Sequence, residues 1–422
     1  MKRVEEYTEE ELVYLQNKLL EQYAHFKHRH LQLDMSRGKP SSEQLDRSNG
    51  ILRVLDSFEL EDGVDARNYG ILDGIPEAKR LFSDLLRIPS ANIIIGGNSS
   101  LNLMYDTIVR FMLFGTLGST PWCKLPKVKW LCPSPGYDRH FSVTESMGIE
   151  MLTVPMTPDG PDMDMVEELA GQDETIKGMW CVPLYSNPQG ICYSAETIER
   201  LCAMKTAAPD FRIMWDNAYG VHDIYEKIRL KDVFVTAKKF HNEDRIMYYF
   251  STSKITFPGA GVALIAASEK NIAEIKKHMS IQTIGYDKLN QLRHVKYFGT
   301  ADGIREHMKS LAKDLRPKFD VVLHTLEREI GDSGFATWME PKGGYFVDID
   351  TLPGCAKETV ALAKDAGVVL TPAGATYPYG NDPQDSNIRI APSYPTVEEL
   401  QEAMNLLCLC VKLAGVNKLL EI

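Results

Sequence analysis

Apolar side chains first recur at helical spacing over residues 8–30, where Leu12, Leu15, Leu19, Tyr23 and Phe26 fall on one face. Thr8 with Glu11 three residues on forms a capping box that would start such a helix. From residue 76 the pattern changes to helix alternating with short strand. Residues 76–86 and 101–114 read as helices, as does 194–206, while 92–95, 128–132, 150–154, 179–184, 212–215, 246–250 and 262–267 read as strands. Strands so short and so continuously apolar are covered on both faces, which predicts an α/β fold on a mostly parallel sheet. Residues 303–330 predict one long helix. Strands at 345–350, 368–370 and 388–391, a helix at 356–366 and a closing helix from 397 to about 413 follow it. The expected division is a large domain over 50–300 and a smaller α+β domain from 1–49 plus 301–422.

Composition narrows the class. In 422 residues, 47 Lys and Arg stand against 58 Asp and Glu, a net charge of −11. That balance argues against a nucleic-acid partner, which would call for a basic face. No apolar run approaches the ~20 residues of a bilayer span, so no membrane partner is expected. Acidic residues interrupt any signal-like stretch near the N-terminus, and the eight cysteines contain no Cys-x-x-Cys pair. Both point to reduced thiols and a cytoplasmic protein. Asn98-Ser99-Ser100 fits the glycosylation pattern, which means nothing without a secretory signal. His25, His28 and His30 read as cations closing a helix, and no metal is expected.

Ligands of such sheets gather at the carboxyl ends of the strands. The strand at 92–95 is followed by Gly96-Gly97-Asn98-Ser99-Ser100 opening a helix, and that at 179–184 by Tyr185-Ser186-Asn187-Pro188-Gln189-Gly190. The strand at 212–215 is followed by Asp216-Asn217-Ala218-Tyr219, and that at 246–250 by Ser251-Thr252-Ser253-Lys254. A small-residue hydroxyl loop, an amide, a carboxylate with a tyrosine, and a lysine among hydroxyls together meet the requirements of pyridoxal phosphate. That cofactor needs a lysine for its Schiff base and a carboxylate on its ring nitrogen. It also needs a helix N-terminus to cradle its phosphate.

These residues, with Ser36-Arg37-Gly38-Lys39-Pro40, Tyr69, Gly74, Pro135-Gly136-Tyr137, Pro341-x-Gly343-Gly344-x-Phe346 and Arg389, span most of the chain. In that order and spacing they resemble the class I/II aminotransferases of pyridoxal-phosphate fold type I. The runs Ser251–Gly261 and Leu33–Pro40 are most similar to the MocR-like branch of the aspartate aminotransferases, subgroup Ic. The resemblance implies that Lys254 binds the cofactor and moves the proton between substrate Cα and the cofactor. It implies that Asp216 keeps the ring nitrogen protonated, that Asn187 and Tyr219 bond the phenolic oxygen, and that Tyr137 stacks on the ring. The phosphate would lie on Asn98, Ser99, Ser100, Ser251 and Ser253, with Tyr69 reaching in from the second subunit of a homodimer. Arg389 and the Gly38 N–H would take the substrate α-carboxylate, beside Asn187 and Arg37. The activity implied is amino transfer from aspartate to 2-oxoglutarate.

One departure stands out. The arginine that relatives place eight residues after the lysine is Val262 here, and residues 255–264 hold no cation. A distal substrate carboxylate also needs a cation, for which Arg37, Lys288 and Arg293 are the candidates. Two other readings share the motifs. One is another amino-acid aminotransferase or a lyase of the same fold. The other is the effector domain of a MocR-type regulator, disfavoured because only 36 residues precede Arg37. Gly259-x-Gly261 lacks the third glycine of a dinucleotide loop, and neither a Walker A sequence nor a Gly-x-Ser-x-Gly elbow occurs.

Overall fold

The computed structural model describes residues 2–421. Its strands run β1 Leu33–Asp34, β2 Ile93–Ile95, β3 Lys129–Ser134, β4 Glu150–Thr157, β5 Gly160–Pro161, β6 Ile176–Cys181, β7 Arg212–Asp216, β8 Ile246–Ser251 and β9 Ala263–Ala267, then β10 Ala336–Trp338, β11 Val347–Thr351, β12 Val368–Val369 and β13 Asn387–Ile390. Eight of them form one sheet in the order β2-β9-β8-β7-β6-β3-β4-β5. The pairs from β8 through β4 are parallel, while β9 runs against both neighbours and β5 against β4. The parallel sheet expected from continuous apolar runs is therefore present. Strands β6, β7, β8 and β9 are buried at every residue, because helices cover both faces.

Two apolar cores lie on the two faces of this sheet. One gathers Phe82, Leu131, Trp215 and Phe250, and the other Met104, Trp130, Trp180 and Tyr249. Alternation along β7 divides them, since Ile213 and Trp215 enter the first and Met214 the second. A third core packs the N-terminal helix Glu9–His28 and the closing helix around the antiparallel sheet β10-β11-β13. The helix Ala301–Glu329 runs between cores: Ile304, Met308 and Leu311 enter the first, and Leu315, Phe319, Val322 and Leu326 the third. β1 pairs with β12, binding residues 33–34 to the third core's side.

Several boundaries differ from expectation. The run at 179–184 is a strand only as Ile176–Cys181, so Asn187 stands on a loop well beyond its end. The closing helix continues through Leu420. It has the length and mean hydropathy (1.5) of a bilayer span, contrary to the expectation that no run approaches one. Yet 72% of that window is buried against protein, and Lys412 within it pairs with Glu329 at 3.0 Å, so it is a core helix. The loop after β2, the start of the helix Ser100–Phe114, and the ends of β7 and β8 converge at the carboxyl edge of the sheet, as Ser253 beside Asn98 shows.

Candidate active site

The site is built outward from Asp216, the last residue of β7 and 3% exposed. Burying a carboxylate is costly unless each oxygen finds a partner. Oδ2 has one: His140 Nε2 at 3.0 Å. His140 sits in the first turn of the helix Asp138–Ser146, buried face to face against the Trp180 indole, with ring centroids 4.2 Å apart. Trp180 is fixed in turn by donating its Nε1–H to Thr144 Oγ1 at 2.8 Å. Oδ1 of Asp216, equally buried, has no hydrogen-bond partner among the described residues. A protonated ring nitrogen is the partner this oxygen fits, and the donor set therefore suits pyridoxal phosphate.

Lys254 follows β8 in a turn, with Nζ 5.1 Å from the Tyr219 ring centre and 5.8 Å from that of Tyr345. Burial pulls its amine below the ordinary lysine value. The Asp216 carboxylate opposes that shift and the Arg389 charge adds to it. Behind it, His222 Nε2 lies 3.4 Å from the Lys254 carbonyl, and burial drops the imidazole to about 3, so the ring is neutral. The Gly343-Gly344 pair lets the chain pass close by: a Cβ at Gly343 would meet the His222 carbonyl at 2.3 Å, and Gly344 has φ +90.

The anion cradle assembles from two loops. Ser99 is the N-cap of the helix Ser100–Phe114 without using its hydroxyl as a cap. The first N–H groups of that helix thus lack a side-chain acceptor from Ser99 and could hold an anion. Ser251 Oγ donates to Ser253 Oγ at 3.0 Å, and Ser253 Oγ to the Asn98 carbonyl at 3.4 Å, bringing Asn98, Ser99 and Ser100 against the β8 exit. Val262 turns into the core at 2% exposure, while its N–H donates to Thr252 Oγ1 at 2.9 Å. This position accepts an apolar side chain because its surroundings are apolar.

On the opposite side Arg389, in β13, is 6% exposed. Its Nη1 donates to Asp138 Oδ1 at 3.0 Å and to Asn187 Oδ1 at 3.2 Å, and Nε and Nη2 both donate to Thr371 Oγ1. Thr371 passes its own proton to the Ser36 carbonyl at 2.7 Å, tying residues 36–38 to the arginine. The guanidinium lies over Phe346 at 4.9 Å, and a Cβ on Gly38 would stand 2.5 Å from that ring, so only glycine fits there. Tyr137 meets His140 edge-on at 4.9 Å, and burial pushes its hydroxyl up to about 12. Tyr219 is buried at 3%. Arg37 is exposed.

Three of the expected residues share no hydrogen bond with Asp216, Lys254 or Arg389 among the described residues, which for Tyr69 accords with a role in a second subunit. Tyr69 projects from a loop at 81% exposure. Lys288, a candidate for the distal carboxylate, is buried with Nζ on the neighbouring Gly70 carbonyl at 3.0 Å, and Arg293 is half-buried on the same helix. Conversely, His140, Trp180, His222, Asp138 and Thr371 join the site without having been expected. Asp138 and His140 carried a usable signal on the helix start just after Tyr137, as did His222 three residues after Tyr219; Trp180 and Thr371 come from distant segments that folding brings together.

Residues 7–422 match the aspartate amino-transferase family. The chain is 47% identical to an aspartate aminotransferase of Corynebacterium glutamicum, covering 92% of this chain and 91% of that one. A crystal structure of an aspartate transaminase from the same organism superposes with a TM-score of 0.95 at 44% identity, covering 98% of each chain. At 21% identity the fold alone is shared with an α-aminoadipate aminotransferase of Thermus thermophilus complexed with N-(5'-phosphopyridoxyl)-L-leucine, at a TM-score of 0.75 over 93% of this chain and 95% of that one. The orphaned Asp216 oxygen, the depressed lysine beside it and this likeness across nearly the whole length agree: the chain belongs to the aspartate aminotransferase family of pyridoxal-phosphate-dependent, fold type I enzymes and is an aminotransferase.

Proposed function

We propose that the protein is a cytoplasmic, homodimeric, pyridoxal-phosphate-dependent enzyme that transfers the amino group of aspartate to 2-oxoglutarate, giving oxaloacetate and glutamate. The observation that carries the reading is the buried, unpartnered Asp216 Oδ1, whose carboxylate acts on the buried Lys254 amine. The name of the Corynebacterium glutamicum relative supports the choice of aspartate.

When bound, the cofactor supplies an aldehyde for amino exchange and a ring that accepts the electron pair released at the substrate Cα. Lys254 Nζ, whose ammonium form burial disfavours, would take the Cα proton and return it on the cofactor side. Asp216 Oδ1, unpartnered in the protein, would accept the ring N–H, while His140 holds the other carboxylate oxygen. Tyr219 and Asn187 would orient the phenolic oxygen, Tyr137 would cover the ring, and Arg389 with the Gly38 N–H would grip the α-carboxylate. Arg37 is the distal-carboxylate reader in this proposal, since Lys288 is engaged on Gly70. Tyr69 would complete the cradle of a second copy. Exposed Ile281, Ile284, Tyr105 and Phe114 supply apolar surface that such a copy would cover. The domain division proposed is 50–300 against 1–49 with 301–422, whose end residues 1 and 422 lie outside the described residues.

A substrate screen tests this. Aspartate with 2-oxoglutarate should give the highest kcat/KM. A wide advantage for alanine or an aromatic amino acid overturns the substrate, and release of ammonia and pyruvate without an oxo acid overturns amino transfer in favour of a lyase. The phosphate cradle is tested separately. Ser251→Ala and Ser99→Ala should each weaken pyridoxal phosphate binding by about 3- to 10-fold, the value of one hydrogen bond. Titration of the apoprotein with cofactor reads this, and unchanged affinity in both refutes the assignment.

A further inference from the structure

The guanidinium of Arg389 has five N–H donors. Its contacts engage four: Nε and one Nη2 N–H on Thr371, and both Nη1 N–H groups on Asp138 and Asn187. A carboxylate can be held in a two-bond fork by Nε with Nη2 or by Nη1 with Nη2; Thr371 takes the first pair, so the fork left for a substrate is Nη1 with Nη2. Thus one Nη2 N–H is free and the Nη1 partner is taken. Of its two holders, Asn187 is 4% exposed and neutral, whereas Asp138 bears the same charge as an incoming substrate carboxylate.

Asp138 is also the holder able to leave. Its side chain is 32% exposed against 6% for that of Arg389. It is the first residue of the helix Asp138–Ser146, where the N-terminal dipole stabilises a carboxylate whether or not the arginine is bound. Nothing of the kind holds for Arg389, whose charge would stand nearly unsolvated in the empty pocket without a counter-ion.

We infer that Asp138 is a specificity-determining residue: a resident counter-ion that occupies Arg389 in the empty site, screens it from small inorganic anions, and is displaced when the substrate α-carboxylate takes the Nη1–Nη2 fork. The inference rests on the proposal that Arg389 is the α-carboxylate receptor. It sets a threshold that a lone anion fails and a substrate with further contacts passes. Affinity is given up in exchange for discrimination.

The experiment measures three quantities in holoenzyme carrying Asp138→Asn, Asp138→Ser or Arg389→Lys. They are KM for aspartate and 2-oxoglutarate, the dissociation constant of succinate as an unreactive dicarboxylate, and the inhibition constant of sulfate. Removing the Asp138 charge should lower the KM values, the succinate constant and the sulfate constant, each by about two- to fivefold, the worth of a half-exposed ion pair. A residue that merely shaped the helix would not tighten sulfate. Unchanged or weaker binding in both Asp138 variants overturns the inference, weaker binding meaning that Asp138 orients the arginine instead. Arg389→Lys separates the two levels. If it leaves succinate binding and both KM values intact, the receptor assignment itself fails. If it weakens them while the Asp138 variants change nothing, only the counter-ion role fails.

Discussion

Lys254→Ala is expected to lower kcat for amino transfer by about 10²–10⁴-fold, the range for losing a positioned proton carrier. Removing the amine while keeping the side-chain volume should do the opposite to the stability of the apoprotein. The folded state holds the lysine below its ordinary value of 10.5, chiefly because burial disfavours the ammonium. At pH values between the folded and unfolded values, the unfolded chain binds the extra proton, so this group's contribution to stability rises with pH. Below the folded value the penalty is fully present, and it fades as pH rises towards 10.5. Lys254→Met, which keeps the volume and discards the charge, should therefore raise the apoprotein melting temperature more at pH 7 than at pH 10.5. Thermal denaturation at the two pH values, beside steady-state kinetics of the alanine variant, checks both halves. A destabilised Met variant at pH 7 would show that the amine is solvated rather than desolvated.

Asp216→Asn should be nearly as severe, with kcat reduced about 10²–10³-fold, as when one preorganised electrostatic contact to a reacting centre is lost. The side chain keeps its shape, but its charge is gone and the ring nitrogen is no longer held protonated. The charge-assisted bond at Oδ1 is worth roughly 1.5–3 kcal/mol, so cofactor affinity should fall by at least about tenfold. Apoprotein titration measures the affinity, and the reaction with aspartate measures the rate. Because Oδ1 has no protein partner, Asp216→Asn should leave the apoprotein fold intact. A variant that binds cofactor and turns over like the parent would mean that the unpaired oxygen faces something else.

These two residues were readable from the chain because each ends a short apolar run, and the end of such a run is where parallel sheets expose side chains. β7 ends on Asp216 itself and β8 three residues before Lys254. Arg389 lies inside a strand of the smaller α+β block and ends no such run, so its place in the site came from the family resemblance alone. Asn187 was harder. The run at 179–184 reads as one strand, yet pairing stops at Cys181, since periodicity registers burial and not hydrogen bonding. The closing helix carried the converse difficulty. An apolar helix buried all round looks the same in sequence whether lipid or protein surrounds it, and the contacts with the helices Glu9–His28 and Ala301–Glu329 settle which.

The order of residue types along the chain thus fixed the sheet, its carboxyl edge and the chemical groups gathered there, because burial patterns and strand exits are local properties. The pairing of those groups came from folding. His140 on Asp216, Trp180 under His140, Thr371 and Asp138 around Arg389, and Lys288 turned to Gly70 join segments up to 251 residues apart. No local pattern encodes such contacts, for each is settled by which side chains share a buried space and must satisfy one another's charge there.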